Sequence, residues 1–356
     1  MPVLKRWSWL APLAALAVFA AGSAGLLSVH SPLYLLLAPP VLIAAVFAAV
    51  RHAETVSIRL GETAGAVVLA LAVTAIEVGL IGSVMIASPQ HPTTVARNTV
   101  FAGVMVVLNG VIGVSLLLGA GRWREQTFEV QGTTSALAVL GTLAAVTMIL
   151  PSYTVTAPGP YYTTLQLAFV AVAALVLYGV FLFAQAVSQK HYFASPETAR
   201  PRRIGGLRAL ASGGMLLVAL VAVVVLADSL TPTVQRFVTG HGMAEEMVSV
   251  VIATLVLLPE GSSAVRAAWG NRLQTSLNFA LGSAIASTGL TIPAIALFSA
   301  LLHQPIDLGL APEHIALLIT SLFAATLTLS TGRTTVLQGA VHLVIFVVFL
   351  VIAAVP

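Results

Sequence analysis

Cysteine is missing from all 356 residues. No disulfide framework, thiolate metal site or cysteine nucleophile is therefore available, and the absence by itself identifies no compartment. Charge is almost as scarce: Lys, Arg, Asp and Glu make up 8% of the chain against 58% hydrophobic residues, where a globular protein carries about a quarter charged residues. So few polar groups cannot cover a globular surface, which excludes a soluble fold. Walker, HExxH and GxSxG signatures are also missing, as is a paired acid in a "GD" context. ATP hydrolysis and the familiar hydrolase chemistries lack their parts, and no enzymatic activity is expected.

What is present is apolar sequence in repeated lengths. A helix crossing the hydrocarbon needs about 20 apolar residues, and eleven such spans are predicted, at residues 8–28, 33–50, 63–88, 98–119, 133–151, 161–187, 207–227, 243–265, 275–302, 311–330 and 335–355. The chain reads as an all-α integral membrane protein. The first span follows Lys5 and Arg6 and ends in "AGSAG", a pattern shared with cleavable signal peptides. Its run is long enough to span by itself, so it is expected to be retained as an N-terminal transmembrane helix within residues 1–30.

The basic residues test this count. With the N-terminus inside, the inner segments hold Lys5, Arg6, Arg51, Arg59, Arg122, Arg124, Lys190, Arg200, Arg202, Arg203, Arg208, Arg266, Arg272 and Arg333, which is 14 of the 16. Arg97 and Arg236 fall outside. The positive-inside rule then places the N-terminus in the cytoplasm and the C-terminus outside, in a multi-pass protein of the inner (cytoplasmic) membrane. The pI of 9.8 reports this topology, and no nucleic-acid partner is expected.

Two acids fall inside predicted spans, Glu77 in "AVTAIEVGLI" and Glu260 in "LVLLPEGSSAV". A carboxylate in hydrocarbon costs several kcal/mol unless neutralised or paired, so each needs a reason. Glu62 precedes Glu77 by 15 residues and Glu245 precedes Glu260 by 15, so the two segments superpose at an offset of 183. That is an internal repeat. Fifteen helical residues are roughly 22 Å, which carries each chain from an interface to near the bilayer middle. Each Glu lies on the second helix of a five-helix block, residues 31–188 and 207–356, joined by a basic linker at 189–206. Five is odd, so the second block enters the membrane inverted, and the two carboxylates can meet at the midplane as in a secondary transporter. A protonated Glu bonded to a neighbouring helix is the bland alternative, and matched positions in both repeats argue against it.

The neighbours suit a hard cation. Pro259 has no N–H, so the helical bond to the carbonyl of Leu255 cannot close, and Gly261, Ser262 and Ser263 follow as a helix-loosening run. Thr74 lies one turn before Glu77 and Gly79 two residues after it. Ca2+ and Na+ take carboxylate, carbonyl and hydroxyl oxygens. Ser and Thr bonding back to their own helix, and Gly serving close packing, remain open for each residue.

The stretches "RLGETAG", "VTAIEV" and "LPEGSSAVRAAWGNRLQTSLNFALGSAIASTGLTIP" resemble the two alpha-repeats of the cation/proton exchanger (CAX) family, and within it the bacterial ChaA-type sodium/calcium:proton antiporters. The resemblance runs from "VRHAE" to "STGRTTVLQGAVHL". It implies a ten-helix inverted-repeat core behind one extra N-terminal helix, a cation/Ca2+ exchanger-like fold. It implies that Glu77 and Glu260 bind the transported cation, with Asn109 in the first repeat and Ser283 and Ser287 in the second as polar ligands. The chain departs from the pattern at Val73-Thr74 and Val256-Leu257, where relatives carry Gly-Asn, and at Ala286, where they carry Gln.

The expected function is antiport of Ca2+, Na+ or K+ against H+ by alternating access, with inorganic cations, protons and the lipid bilayer as partners and no bound cofactor. An antiporter without physiological Ca2+ transport and a passive cation channel are the alternatives. An empty ionised pair is costly at the bilayer centre, whereas two protons or one divalent cation leave the pair neutral. His342 reads as a packed histidine rather than a proton relay. His303, Asp307, Glu313 and His314 read as a solvated outer loop rather than a metal site. The patterns do not encode the oligomeric state.

Overall fold

The structure is a computed structural model describing residues 6–29, 31–87, 94–156, 159–193, 204–302 and 306–356. Among the described residues it is helical, apart from a bridge between Thr127 and Arg333. Besides a single turn at Lys190–Phe193, the helices are α1 Arg6–Ser23, α2 Pro32–Leu60, α3 Glu62–Ala87, α4 Val95–Trp123, α5 Val130–Tyr153, α6 Thr164–Ser188, α7 Gly206–Gly240, α8 Glu246–Trp269, α9 Leu273–Leu301, α10 Pro312–Leu329 and α11 Val336–Ala354. Nine of them, all but α1 and α3, are long and apolar enough to cross a membrane, and α3 holds a shorter apolar stretch at Val67–Ser83. The expected all-α membrane class is borne out. Most of the basic linker at 189–206, and His303, lie outside the described residues.

Helices α2 and α7 run past their predicted spans, from 50 to Leu60 and from 227 to Gly240, because hydropathy marks where lipid ends and not where helix ends. The chain turns only where a backbone permits it: α2 stops at Gly61, whose φ of 90° suits glycine. Helices α4, α5, α6 and α9 each contain a π turn, at Val106–Val111, Ala145–Ile149, Ala184–Ser188 and Ser287–Thr291. Such turns are rare and gather at functional sites.

Packing divides the chain into two units, residues 1–87 with 199–248 and residues 88–198 with 249–356. In the first, α2 is central and touches α1, α3 and α7. Proline explains one of its joints. Pro12 cannot donate to the carbonyl of Ser8, and the ring Nε2 of fully buried His52 sits 2.9 Å from that carbonyl oxygen. The Trp9 indole packs edge-on against the same imidazole. Further along, Tyr34 and Ser229 join α2 to α7 through their hydroxyls at 2.7 Å. At Gly79 a Cβ would lie 2.6 Å from a methyl of Val224, so glycine sets how closely α3 approaches α7.

In the second unit, α11 crosses α4 so tightly that a Cβ on Gly339 would lie 2.6 Å from the backbone nitrogen of Leu117. The α11 and α6 N-termini are fixed by capping boxes, Thr335 with Gln338 and Thr163 with Gln166. The loops after α4, α8 and α10 gather at one end. There Gln126 donates to the Ala268 carbonyl and to Asn271, its own carbonyl accepts from the Thr334 amide, and the Trp123 indole donates to the Trp269 carbonyl. The π turn of α4 packs on the first half of α9, and the π turn of α9 packs on the first half of α4.

Candidate functional site

Helix α3 starts at Glu62 and α8 at Glu246, so each of the two span acids lies about four turns into its helix. Glu77 is 3% exposed. Glu260 is half-buried, with both carboxylate oxygens shielded from solvent. Each lies within an apolar helix, where a carboxylate is costly unless it is neutralised or paired.

The candidate ligands separate by whether their polar atoms are already used. Ser262 and Ser263 both donate to the Pro259 carbonyl, at 2.9 and 2.8 Å, so these hydroxyls are turned back onto their own helix. Thr288 does the same to Ala284. Asn109 lies in the π turn of α4, fully buried. Its amide nitrogen donates to Ser321 Oγ at 2.9 Å, and its Oδ1 lies 3.2 Å from His342 Nδ1. The amide is thus committed towards α10 and α11. By contrast, Thr74 Oγ1 and Ser283 Oγ are buried without a hydrogen-bond partner among the described residues. An orphaned hydroxyl costs about 1–3 kcal/mol, so these two oxygens are the uncommitted ones among the candidates. Ser287 is 5% exposed and begins the π turn of α9.

Two expectations need correction. Helix α8 runs unbroken through Pro259 and Gly261, because a proline removes one hydrogen bond without forcing the backbone out of the helical region. Leu255, half-buried on this helix, loses Pro259 as a bonding partner, but no break follows. Gly261 serves packing: its Cβ would lie 3.0 Å from a methyl of Val111. The outer loop is not simply solvated either. Asp307 and His314 are 8% and 2% exposed, and Asp307 Oδ1 accepts from the buried Arg97 guanidinium at 2.9 Å. Among the described residues no group of three His, Asp or Glu gathers that could hold a metal ion.

Residue-by-residue reasoning missed the chain of bonds around His342. The ring is fully buried, with Nδ1 against Asn109 and Nε2 3.3 Å from Thr328 Oγ1, while the Ser321 hydroxyl donates to the Leu317 carbonyl at 2.7 Å. The signal lay in "VVLNG" and "GAVHLV", two apolar runs with one strongly polar residue each. Lone polar groups at such depth find each other, because lipid offers no partner.

Comparison with known proteins now bears on the arrangement. The sequence profile of the sodium/calcium exchanger protein family matches residues 30–187 and 211–355. The chain belongs to that family. Both matched blocks contain one of the buried acids. Among curated relatives, y4hA of Sinorhizobium fredii, whose name is that of an ionic transporter, is 46% identical over 98% of this chain and 96% of its own length. The sodium-potassium/proton antiporter ChaA of Escherichia coli (strain K12) is 30% identical over 97% of this chain and 95% of its own. The crystal structure of the Ca2+/H+ antiporter protein YfkE shares the fold, with a TM-score of 0.73 at 17% identity, covering 99% of this chain and 100% of that one. The CAX resemblance read from the motifs is therefore borne out, and this exchanger-family chain is a multi-pass membrane protein.

Proposed function

We propose that the protein is a cation:proton antiporter in which Glu77 and Glu260 bind the cation and the protons in turn. The observation that carries this reading is the matched pair of acids, Glu77 buried and Glu260 with both carboxylate oxygens shielded, each about four turns into a helix of an exchanger-family chain. The ChaA and YfkE names give the reaction class, exchange of cations against protons. Two features support a repeat beneath the pair: α4 and α9 are both 29 residues long, and each carries a π turn that packs on the other. Thr74 and Ser283 are the preferred auxiliary ligands. Leu255 offers a carbonyl freed by Pro259, and Ser287 lies one turn beyond Ser283.

Exchange follows from competition. With both carboxylates ionised and nothing bound, the site would carry two more negative charges than in its loaded states, in a medium that solvates charge poorly, so the protein resists reorientation in that state. Two protons or one Ca2+ restore neutrality and permit the switch, which couples the two flows without further machinery. A monovalent cation with one proton satisfies the same condition. The sodium-potassium name of the ChaA relative favours that version, so Na+ and K+ stand beside Ca2+ as substrates. With the N-terminus inside, the orientation that the distribution of basic residues favours, export of cation would draw on protons entering from outside.

The test uses everted membrane vesicles with a preset pH gradient and each cation added in turn. Dequenching by at least one of Ca2+, Na+ or K+ is expected in the parent protein, and its loss in both Glu77→Gln and Glu260→Gln with folding retained. An amide keeps the volume but cannot cycle a proton. Near-normal exchange in either variant removes that residue from the mechanism, and cation flux without coupling to pH makes the protein a channel.

A further inference from the structure

A cavity of about 480 Å³ lies within the second unit between α4, α8 and α11, and neither Asn109 nor His342 lines it. Its walls are Val111, Val114, Leu257, Leu258, Val265 and Phe346, and hardly any polar surface lines it. On α8 the lining residues recur every three to four positions from Thr254 to Arg266. They form one stripe along a single helix face. Twelve residues of helix are roughly 18 Å, close to the ~15 Å depth of one leaflet's hydrocarbon. The groove therefore has the length of one leaflet.

Its two ends differ in chemistry. One is apolar helix surface near the middle of α8. The other is Arg266, exposed, whose guanidinium makes one hydrogen bond among the described residues, to Ser263 Oγ at 3.1 Å, out of five possible donors. Trp123 and Trp269 stand at this same end, both well exposed, with the Arg122 guanidinium stacked over each ring at 5.3 and 4.7 Å from the centroids. Exposed tryptophans of this kind mark headgroup level. Arg124, Arg272 and Arg333 share the end, where Glu125 lies 3.7 Å from Arg333. The groove thus passes from hydrocarbon depth to a cationic lip at the interface.

We propose that this groove holds one acyl chain of an anionic phospholipid, with the lipid phosphate bound by Arg266. Free phosphate would use the cationic lip alone and leave the apolar length unexplained. A zwitterionic lipid would fill the groove but gain less at the lip, since a basic residue near the surface contributes about 1 kcal/mol toward anionic headgroups, roughly fivefold in affinity. The orientation read from the basic residues puts the lipid in the inner leaflet. Because Gly261 faces the groove, the occupant would lie against α8 one residue from Glu260, a consequence that rests on the proposed transport site, whereas the binding itself does not.

The experiment is native mass spectrometry of the purified full chain, titrated with phosphatidylglycerol or phosphatidylcholine of the same acyl composition. One tightly held phosphatidylglycerol is expected, favoured over phosphatidylcholine several-fold. Arg266→Gln should remove that preference, Arg266→Lys restore most of it, and Val114→Trp, which fills the groove, abolish retention of either lipid. A preference that survives Arg266→Gln, or retention that survives Val114→Trp, overturns the proposal. Should Val114→Trp elute as misfolded protein, Leu258→Phe replaces it under the same criterion. A single cysteine at Leu258 separates lipid from water in proteoliposomes. Labelling by a charged thiol reagent as fast as a cysteine at exposed Ser330 would mean a water-filled groove, and the proposal fails.

Discussion

Arg97 and Asp307 offer the sharpest energetic test of the fold, because the pair is buried and each partner has few substitutes. Both residues are 8% exposed. The guanidinium donates to Asp307 Oδ1 at 2.9 Å, to the Gly309 carbonyl, and through Nε to Asn98 Oδ1 at 3.0 Å. This clasp ties the start of α4 to the loop before α10. Burial pushes the Asp307 carboxyl above its ordinary range, and the Arg97 charge, its hydrogen bond and the Gly309 amide pull the other way. Removing one member strands the other: Arg97→Met should cost about 3–5 kcal/mol at neutral pH. Replacing both, as Arg97→Met with Asp307→Leu, exchanges the pair for packed side chains and should recover most of that loss.

The pH dependence fixes the sign. In Arg97→Met the folded-state pKa of Asp307 lies well above its unfolded value of about 3.9, since burial then acts without the guanidinium. A carboxyl raised in the folded state favours folding where it is protonated, so the penalty shrinks as pH falls and grows as pH rises through the raised value. The assay is thermal unfolding in detergent between pH 4 and pH 8 for the parent, the two single variants and the double variant. Equal losses in single and double variants, or a penalty for Arg97→Met that does not ease on acidification, would refute the reasoning.

Two further outcomes follow from packing. Gly339→Ala places a Cβ within 2.6 Å of the Leu117 nitrogen and 2.9 Å of its Cα, backbone atoms that cannot step aside, and should cost roughly 1–3 kcal/mol by thermal unfolding. Gly121→Ala, on the same helix α4 with nothing within 4 Å, is the control and should stay within about 0.5 kcal/mol. His342→Leu leaves the Asn109 carbonyl without its ring partner and should lose about 1–3 kcal/mol, with His342→Gln losing less. Equal losses for Leu and Gln would place the effect in ring packing and not in the hydrogen bonds.

Sequence alone carried the class, most element positions and the family because these depend on features that repeat along the chain. Apolar run length fixes where a helix lies in lipid, so α9 was expected at 275–302 and is found at Leu273–Leu301. Periodicity says nothing about where a helix stops in water, hence the overrun of α2 to Gly61. Packing partners were not legible either. The first unit joins α7 to α1, α2 and α3 across most of the chain length, a long-range choice made by shape, such as the fit of Gly79 to Val224. Arg97 and Asp307 were each read as outer-side charges. Their union, 210 positions apart, has no local signal.

The site shows the same limit at finer scale, and one residue turns it into a measurement. Thr74, Thr147 and Thr288 are all buried threonines within apolar helices, indistinguishable by neighbourhood. In a helix the threonine hydroxyl has two accessible rotamers, one of which bonds the carbonyl one turn back. Thr147 and Thr288 take that bond, to Leu143 at 2.7 Å and Ala284 at 2.9 Å, whereas Thr74 Oγ1 has no partner among the described residues. A hydroxyl that forgoes the bond its own helix offers, one turn from Glu77, is poised for something else. Thr74→Val should therefore act in opposite directions on stability and function. Removing an orphaned buried polar atom should raise thermal stability by about 1 kcal/mol in cation-free buffer. Apparent cation affinity in proteoliposomes should fall while the maximal rate at saturating cation changes little, because Val fills the space but offers no oxygen. Thr147→Val is the comparison: it loses a satisfied bond and should leave cation affinity untouched. If Thr74→Val is destabilised like Thr147→Val and binds cation as the parent does, the hydroxyl belongs to packing and not to the ion.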